Sequence, residues 1–379
     1  GRSALTTLTT NAANTAVGGS ALAANTAANN TAVGYASLTA NDTGTSNVAV
    51  GSLALFSNTT GDENVAVGRE ALYSNTTASD NIAVGRRALY FNTSGVNNVA
   101  LGYESLRSNT TNNNTAVGYQ AGFSNTIGGS LTVVGRQALY ANTSGSFLAA
   151  FGDSTLGANT TGSRNSAFGI SALQSNTTAN NNTAVGYQSL YANTTGTANV
   201  AVGKGSLDLN TTGSTNTATG ADSLGANTTG GSNTALGQAA LESNTTASFN
   251  TGVGRNALVF NTTGGNNTAV GYQAGFSNTT GANLVAIGNA AMYTNTTASN
   301  STAVGNSALY ASNASDNAAF GGASLQYNTT GTSNTGTGEG SLRFNTTGSS
   351  NTASGYRALY SNTTASNNTA VGYQSLYTN

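Results

Sequence analysis

Asn182-Thr183-Ala184-Val185-Gly186 decides the fold, because near-copies of these five residues return along the whole chain at an almost constant interval. The same five stand at Asn14 to Gly18. With the glycine counted as position 1 of a repeat, it falls at 23 places from Gly1 to Gly372, and the 22 intervals between them span 371 residues. Nineteen intervals are 17 residues long; the three that start at Gly18, Gly102 and Gly305 are 16. So short and regular a period marks a solenoid, in which one small unit stacks on the next.

Written from the glycine, the consensus is Gly-Tyr/Arg-x-Ala/Ser-Leu-Tyr-x-Asn-Thr-Thr-Gly/Ala-x-x-Asn-Thr/Val-Ala-Val. Positions 14 to 17 combine β-branched and small residues and predict one short buried strand per coil. Alternation places Asn14 and Ala16 of that strand on one face and positions 15 and 17 on the other, so a wall is expected on both sides, the outer one supplied by another chain. Helix is excluded: turn-favouring Gly, Asn and Thr dominate, and no stretch repeats an apolar residue every 3.6. Leucine at position 5, with valine at 17 and alanine at 16, is expected to build the interior.

Asparagine holds position 8 in 21 of the 22 coils after the first, with Ser312 the exception, and position 14 in 18 of 22. In coils stacked ~4.8 Å apart these residues become two ladders whose amides bond from rung to rung and lock the register. Asparagine and glycine also tolerate the left-handed backbone that sharp corners need. The coils from Gly118 and Gly271 depart together: both lack the position-5 leucine, carry Phe123 and Phe276 one residue later, and end in Leu131 and Leu284 where asparagine is usual.

Composition bounds the chemistry. The 379 residues include 49 Gly but no Pro, Cys, His or Trp, and 11 basic residues balance 12 acidic ones. A Gly- and Asn-rich chain with so little charge also fits disorder, but leucine keeps its phase at position 5 in 20 of 23 coils, which argues for order. Without a basic excess no nucleic-acid partner is expected. Lys204, Arg69, Arg86, Arg87, Arg136 and Arg255, at or beside position 2, read as a scattered solvated stripe rather than an anion track. Without Cys or His, no cofactor, metal centre or general base is expected, and the protein reads as no enzyme. Only Asp62 and Glu63 adjoin among the acids, on an expected corner. No apolar run approaches a membrane span, so direct insertion is not expected.

The fold class read from this pattern is all-β: a parallel β-solenoid, or β-roll, of about 23 coils with a 17-residue period, forming one continuous domain over residues 1–379. At the strand spacing this is a rod roughly 110 Å long. A 17-residue coil encloses about two large side chains, whose ~1.5–3 kcal/mol each barely offsets ~1–2 kcal/mol of ordering entropy per residue. Three parallel copies around a shared axis are the expected remedy. The pattern starts and stops in mid-repeat, at Gly1 and at Tyr377-Thr378-Asn379, and so reads as a piece of a longer fibrous protein.

Asn-Thr-Ala-Val-Gly-Tyr-Gln-Ser-Leu at Asn182 to Leu190 and Asn-Val-Ala-Val-Gly-Lys-Gly-Ser-Leu at Asn199 to Leu207 resemble the head repeats of YadA-like trimeric autotransporter adhesins and, more closely, the repeat shafts of bacterial and phage tail-fibre proteins. The resemblance covers essentially the whole chain. It implies a left-handed β-roll, a homotrimer and a role in extracellular attachment, at a cell or virion surface. The chain departs from the adhesin heads in its longer repeat and in lacking their neck, stalk and anchor.

Two sets of side chains are candidate contacts. Tyrosine recurs at position 2 (Tyr35, Tyr103, Tyr119, Tyr187, Tyr272, Tyr356, Tyr373) and at position 6 (Tyr73, Tyr90, Tyr140, Tyr191, Tyr293, Tyr310, Tyr360, Tyr377), forming broken ladders suited to lateral packing or to a host-surface glycan or protein. Asn-Thr-Thr at positions 8 to 10 is formally a glycan acceptor, as at Asn58, Asn75, Asn159, Asn193, Asn210, Asn261 and Asn345, and equally reads as an asparagine ladder followed by turn threonines. The expected function is a non-catalytic extracellular fibre segment, the shaft or head of an adhesin or tail fibre; the alternative is a self-assembling, glycosylated surface filament whose polymer is itself the functional object.

Overall fold

The computed structural model describes residues 1–6 and 13–378; residues 7–12 of the first coil and residue 379 lie outside the described residues. The chain is an all-β parallel β-solenoid of about 21 turns, and no helix occurs among the described residues. One short strand forms per coil, 22 in all, from Thr15–Val17 to Thr369–Val371. The strands are numbered β1 to β22 in chain order. The chain divides into two compact units, Gly1–Gln188 with the first eleven strands and Ser189–Asn379 with the remaining eleven.

Within the first unit each strand pairs in parallel with the next and without slip, so that Ala66 faces Ala83 and Ala83 faces Ala100. The second unit repeats the arrangement, with Ala218 opposite Ala235. Pairing continues outside the strands. In the coil from Gly68, the amides of Gly68 and Glu70 donate back to Val50 and Ser52, and those of Leu72, Ser74 and Thr76 donate forward to Ala88, Tyr90 and Thr93, at 2.7 to 3.2 Å. Backbone groups of the corners are thus satisfied by neighbouring coils, as a chain with so little internal helix or sheet of its own requires.

Six positions point inward: 4, 5, 8, 11, 14 and 16. In the coil from Gly68 these are Ala71, Leu72, Asn75, Ala78, Asn81 and Ala83, all buried, and in the coil from Gly220 they are Ser223, Leu224, Asn227, Gly230, Asn233 and Ala235. The expected interior is therefore corrected at one position. Valine 17 lies outside, since the strand's single inward residue is the alanine at 16; Val84, Leu101, Val185 and Leu236 are each between 37% and 39% exposed.

Backbone geometry explains which residue types recur. The position-1 glycines have φ near +130°, and a Cβ on Gly220 would stand 2.5 Å from the carbonyl oxygen of Gly237 in the next coil. No side chain fits between backbones so close. Left-handed φ values also recur at positions 3, 5 and 13, at +58°, +51° and +58° for Arg87, Leu89 and Asn97. The asparagine ladders are not among them, contrary to expectation. A leucine held left-handed costs about 1–2 kcal/mol, which its burial, worth ~1.5–3 kcal/mol, offsets.

That conformation accounts for the two departing coils. Glycine is the one residue that adopts a left-handed φ without strain, and Gly122 and Gly275 take φ of +61° at position 5. The lost core volume returns in the same coil, as Leu131 and Leu284, which are only 1% and 2% exposed. Where Leu131 is followed one coil on by Leu148, the two pair directly, and strands β8 (Leu131–Val134) and β9 (Leu148–Phe151) each gain a fourth residue. Phe123 and Phe276 do not replace the leucine; they sit at position 6, outside the core.

Candidate functional site

The interior carries polar ladders. At position 8, Asn227 Nδ2 donates to Asn210 Oδ1 of the preceding coil at 2.8 Å and to the Gly230 carbonyl of its own coil at 2.9 Å, while its own Oδ1 accepts from Asn244 at 2.9 Å. At position 14, Asn47 Oδ1 accepts from the Asn64 amide at 3.0 Å and Asn47 Nδ2 reaches the Gly61 carbonyl at 2.8 Å. In 17-residue coils the position-8 amide bonds a carbonyl three residues on; in the short coils from Gly18 and Gly102 it bonds one two residues on, Asn25 to Ala27 and Asn109 to Thr111. The missing residue of a short coil is thus absorbed just after the ladder.

All seven candidate glycan acceptors, Asn58, Asn75, Asn159, Asn193, Asn210, Asn261 and Asn345, lie on this ladder and are 0% exposed. Each uses Nδ2 within the coil, for example Asn58 to Gly61 at 2.9 Å and Asn345 to Gly348 at 2.8 Å. The folded coil has no room for a glycan on these nitrogens. Of the two readings of Asn-Thr-Thr, the ladder followed by turn threonines is the one that the geometry matches.

Tyrosines at the two expected positions differ in setting. At position 2, Tyr35, Tyr119, Tyr187, Tyr272 and Tyr373 are exposed, Tyr103 and Tyr356 are half-buried, and neighbouring rings stack where coils allow, Tyr103 on Tyr119 at 5.3 Å and Tyr356 on Tyr373 at 5.4 Å. At position 6, Tyr73, Tyr90, Tyr140, Tyr191, Tyr293, Tyr310, Tyr360 and Tyr377 are half-buried. Their columns include residues that the tyrosine pattern alone misses. Phe56 stacks on Tyr73 and Tyr73 on Tyr90, Phe123 stacks on Tyr140, and Phe276 stacks on Tyr293, all at 4.8 to 5.2 Å with rings within 8° of parallel. Arg107 fills the rung between Tyr90 and Phe123, its guanidinium 5.8 Å and 5.3 Å from their ring centres. One continuous column therefore runs Phe56, Tyr73, Tyr90, Arg107, Phe123, Tyr140. The signal was the shared position 6, whichever aromatic or cation occupies it.

This column stops at Gly157, which stands at position 6 of the next coil. A cleft of about 360 Å³ opens there, lined by Gln137, Tyr140, Ser154, Gly157, Ala158, Gln174 and Ser175. In the second unit Gly225 interrupts position 6 in the same way, between Asp208 and Glu242. Burial there, with the Asp222 charge adding to it, raises the Asp208 carboxyl above its ordinary pKa. The three acids do not form a cation-binding cluster, and no group of acids among the described residues does.

Seven of the remaining charged residues form ion pairs. Glu70 takes ion pairs from Arg87 and Arg69, and the Arg87 hydrogen bond is the main cause that holds its carboxyl below the usual range. The Ser154 hydroxyl, donating to Asp153 at 2.7 Å, is the main cause that lowers that acid, and Arg136, which meets it at 2.9 Å, lowers it further. Half of the basic stripe is thereby neutralised: of its six members, Arg69, Arg87 and Arg136 are paired.

The strand face presents the opposite character. Positions 15 and 17 of all 22 strands carry Thr, Val, Ile, Leu, Phe, Ala or Ser and no charge. Phe151 and Phe168 stack there at 4.9 Å, and Phe168 and Phe320 are 40% and 44% exposed. No family model matches the chain, and no curated protein matches it.

Proposed function

We propose that the chain is a non-catalytic, extracellular structural segment of a fibre, working as three parallel copies that bury their strand faces against one another. The observation that carries this reading is the uncharged strand face. It is a column of exposed valine, leucine and phenylalanine on a chain that places all 23 of its charged residues elsewhere. Large contiguous apolar surfaces on a rigid body mark an interface. Within each unit a strip three residues wide, ~10 Å, repeating every ~4.8 Å over eleven strands amounts to roughly 500 Å² per copy, a contiguous patch of the size that marks an interaction surface.

The repeated coil supports the mechanical role. Force along the stack is borne by parallel backbone pairs and by two amide ladders in every coil, a load shared among many equivalent bonds. Attachment, in this reading, is the business of outward positions 2, 6 and 7, which vary from coil to coil. Light scattering on the purified chain tests the assembly: the expected mass is three times that of one chain, and Val270→Asp together with Val253→Asp on the strand face reduces it to one. A single-chain mass for the unaltered protein at micromolar concentration overturns the proposal, and indefinite fibrils favour the filament reading instead.

A further inference from the structure

We infer that the cleft over Gly157 is a binding site for one ring of a neutral saccharide. The aromatic column from Phe56 to Tyr140 covers one face of every ring with the next rung, about 5 Å away. Tyr140 is the exception. Phe123 covers one face of its ring at 5.1 Å, and the other looks over Gly157, which contributes no side chain. The next side chain in the column is Gln174, two coils from Tyr140, so the gap is two strand spacings, ~9.6 Å. One ring of ordinary thickness fits this space as the missing rung.

The lining specifies the ligand's chemistry. Tyrosine offers an apolar face of the size of a pyranose ring, and stacking on it is directional. Around that face stand the Gln174 carboxamide and the Ser175 hydroxyl as donors and acceptors, with the Ser154 hydroxyl, which already donates to Asp153, as an acceptor, and Gln137, whose amide donates to Gln120, beside them. Gln174 has no side-chain hydrogen bond among the described residues, so its amide is available to a ligand. No charged residue lines the cleft, and the nearest ion pair, Arg136 with Asp153, is already satisfied. That chemistry disfavours phosphate or a charged peptide. The equivalent gap over Gly225 is walled by Asp208, Asp222 and Glu242 and lacks an aromatic platform, so it does not duplicate the site.

A Cβ on Gly157 would lie 3.1 Å from the Ser154 carbonyl, so a side chain there needs that carbonyl to give by a few tenths of an ångström, and position 6 carries tyrosine in eight other coils. Gly157→Tyr therefore completes the column and occludes the cleft. The experiment titrates the full chain with a panel of neutral tetrasaccharides of gluco, galacto, manno and N-acetylgluco configuration. Binding is followed by saturation-transfer NMR and by tyrosine fluorescence. At least one member is expected to bind with a Kd near ~1 mM, to lose about tenfold or more in Gly157→Tyr, and to weaken in Gln174→Ala, while the melting temperature and the solution mass of both variants stay unchanged. Absence of binding by every member at about 10 mM, or binding that survives in Gly157→Tyr, overturns the inference. The unchanged mass separates that outcome from a failure of the trimer, which rests on the strand face.

Discussion

Replacing Asn227 by alanine removes one rung from the position-8 ladder and tests whether buried amides or apolar side chains hold the coils together. Three hydrogen bonds go: to Asn210, to the Gly230 carbonyl and from Asn244, all between 2.8 and 2.9 Å and all at a residue with no exposure. Each such bond is worth about 1 kcal/mol net, and each buried partner left without one costs about 1–3 kcal/mol. Of the three partners, the Gly230 carbonyl still accepts from Asn216 at 2.8 Å and Asn244 keeps its second bond to Ala247, so one acceptor, Asn210 Oδ1, is left unpaired and the expected loss is about 3–5 kcal/mol. The assay is urea unfolding with hydrogen exchange resolved by coil, because in a stacked array the damage concentrates in the altered repeat and its neighbours. Faster exchange is expected at Leu224 and Leu241, whose amides bond to the following coils. Thr229→Ala, on the outward side of the same coil, is the control and should change stability by less than about 0.5 kcal/mol. A loss below about 1 kcal/mol for Asn227→Ala would refute the ladder as the chief source of register.

Four further outcomes follow from the same geometry. Ser312 is the natural gap in that ladder, with long bonds of 3.3 and 3.4 Å to Ala314 and Asn328; Ser312→Asn should raise stability by about 1 kcal/mol in the same urea assay. Gly220→Ala forces a Cβ to 2.5 Å from the next coil's carbonyl at a φ of +132°, and a loss of at least about 3 kcal/mol is expected, with a neutral result in thermal melting ruling out the close approach. Leu190→Asp places a carboxylate where the leucine is fully buried and should cost about 3–5 kcal/mol; an unchanged melt would mean that position 5 faces solvent. Asp208 holds its proton more tightly in the folded chain than its ordinary 3.8 allows. The folded state therefore binds more protons just above that value, and stability contributed by this group is present below pH 3.8 and falls as pH rises through the folded pKa. Asp208→Asn should remove that slope from a melting-temperature profile, and an identical profile would show that Asp208 does not produce it.

Much of the fold was legible because a solenoid writes its contacts as a period. Leucine at 5 and asparagine at 8 and 14 kept phase through the chain, and a residue that keeps phase in a stack meets its own copy in the next coil. The facing of the strand was harder. Alternation correctly separated alanine 16 from valine 17, but apolar character alone assigned both to the interior, whereas a 17-residue coil is so narrow that the position-5 leucine, two amide ladders and small side chains at 4, 11 and 16 already fill it. The left-handed leucine was not legible at all, since leucine has no intrinsic preference for that backbone; only Gly122 and Gly275 at the same position hinted at it. For the candidate site, tyrosine counts found the column but overlooked Phe56 and Arg107 as equivalent rungs, because stacking depends on position and flatness rather than on residue name. The cleft over Gly157 was invisible for a related reason: it is defined by what one coil lacks relative to its neighbours.

The column at position 6 has a consequence for how such a chain changes over generations. Its rungs are a ring, a guanidinium, an amide, a carboxylate, a small or branched side chain such as Thr39 or Val259, or nothing, while the backbone beneath is fixed by glycine, leucine and asparagine elsewhere in the coil. Surface chemistry can therefore be edited one line at a time, like type set in a frame that never moves, so that recognition is free to drift while the scaffold stays constant.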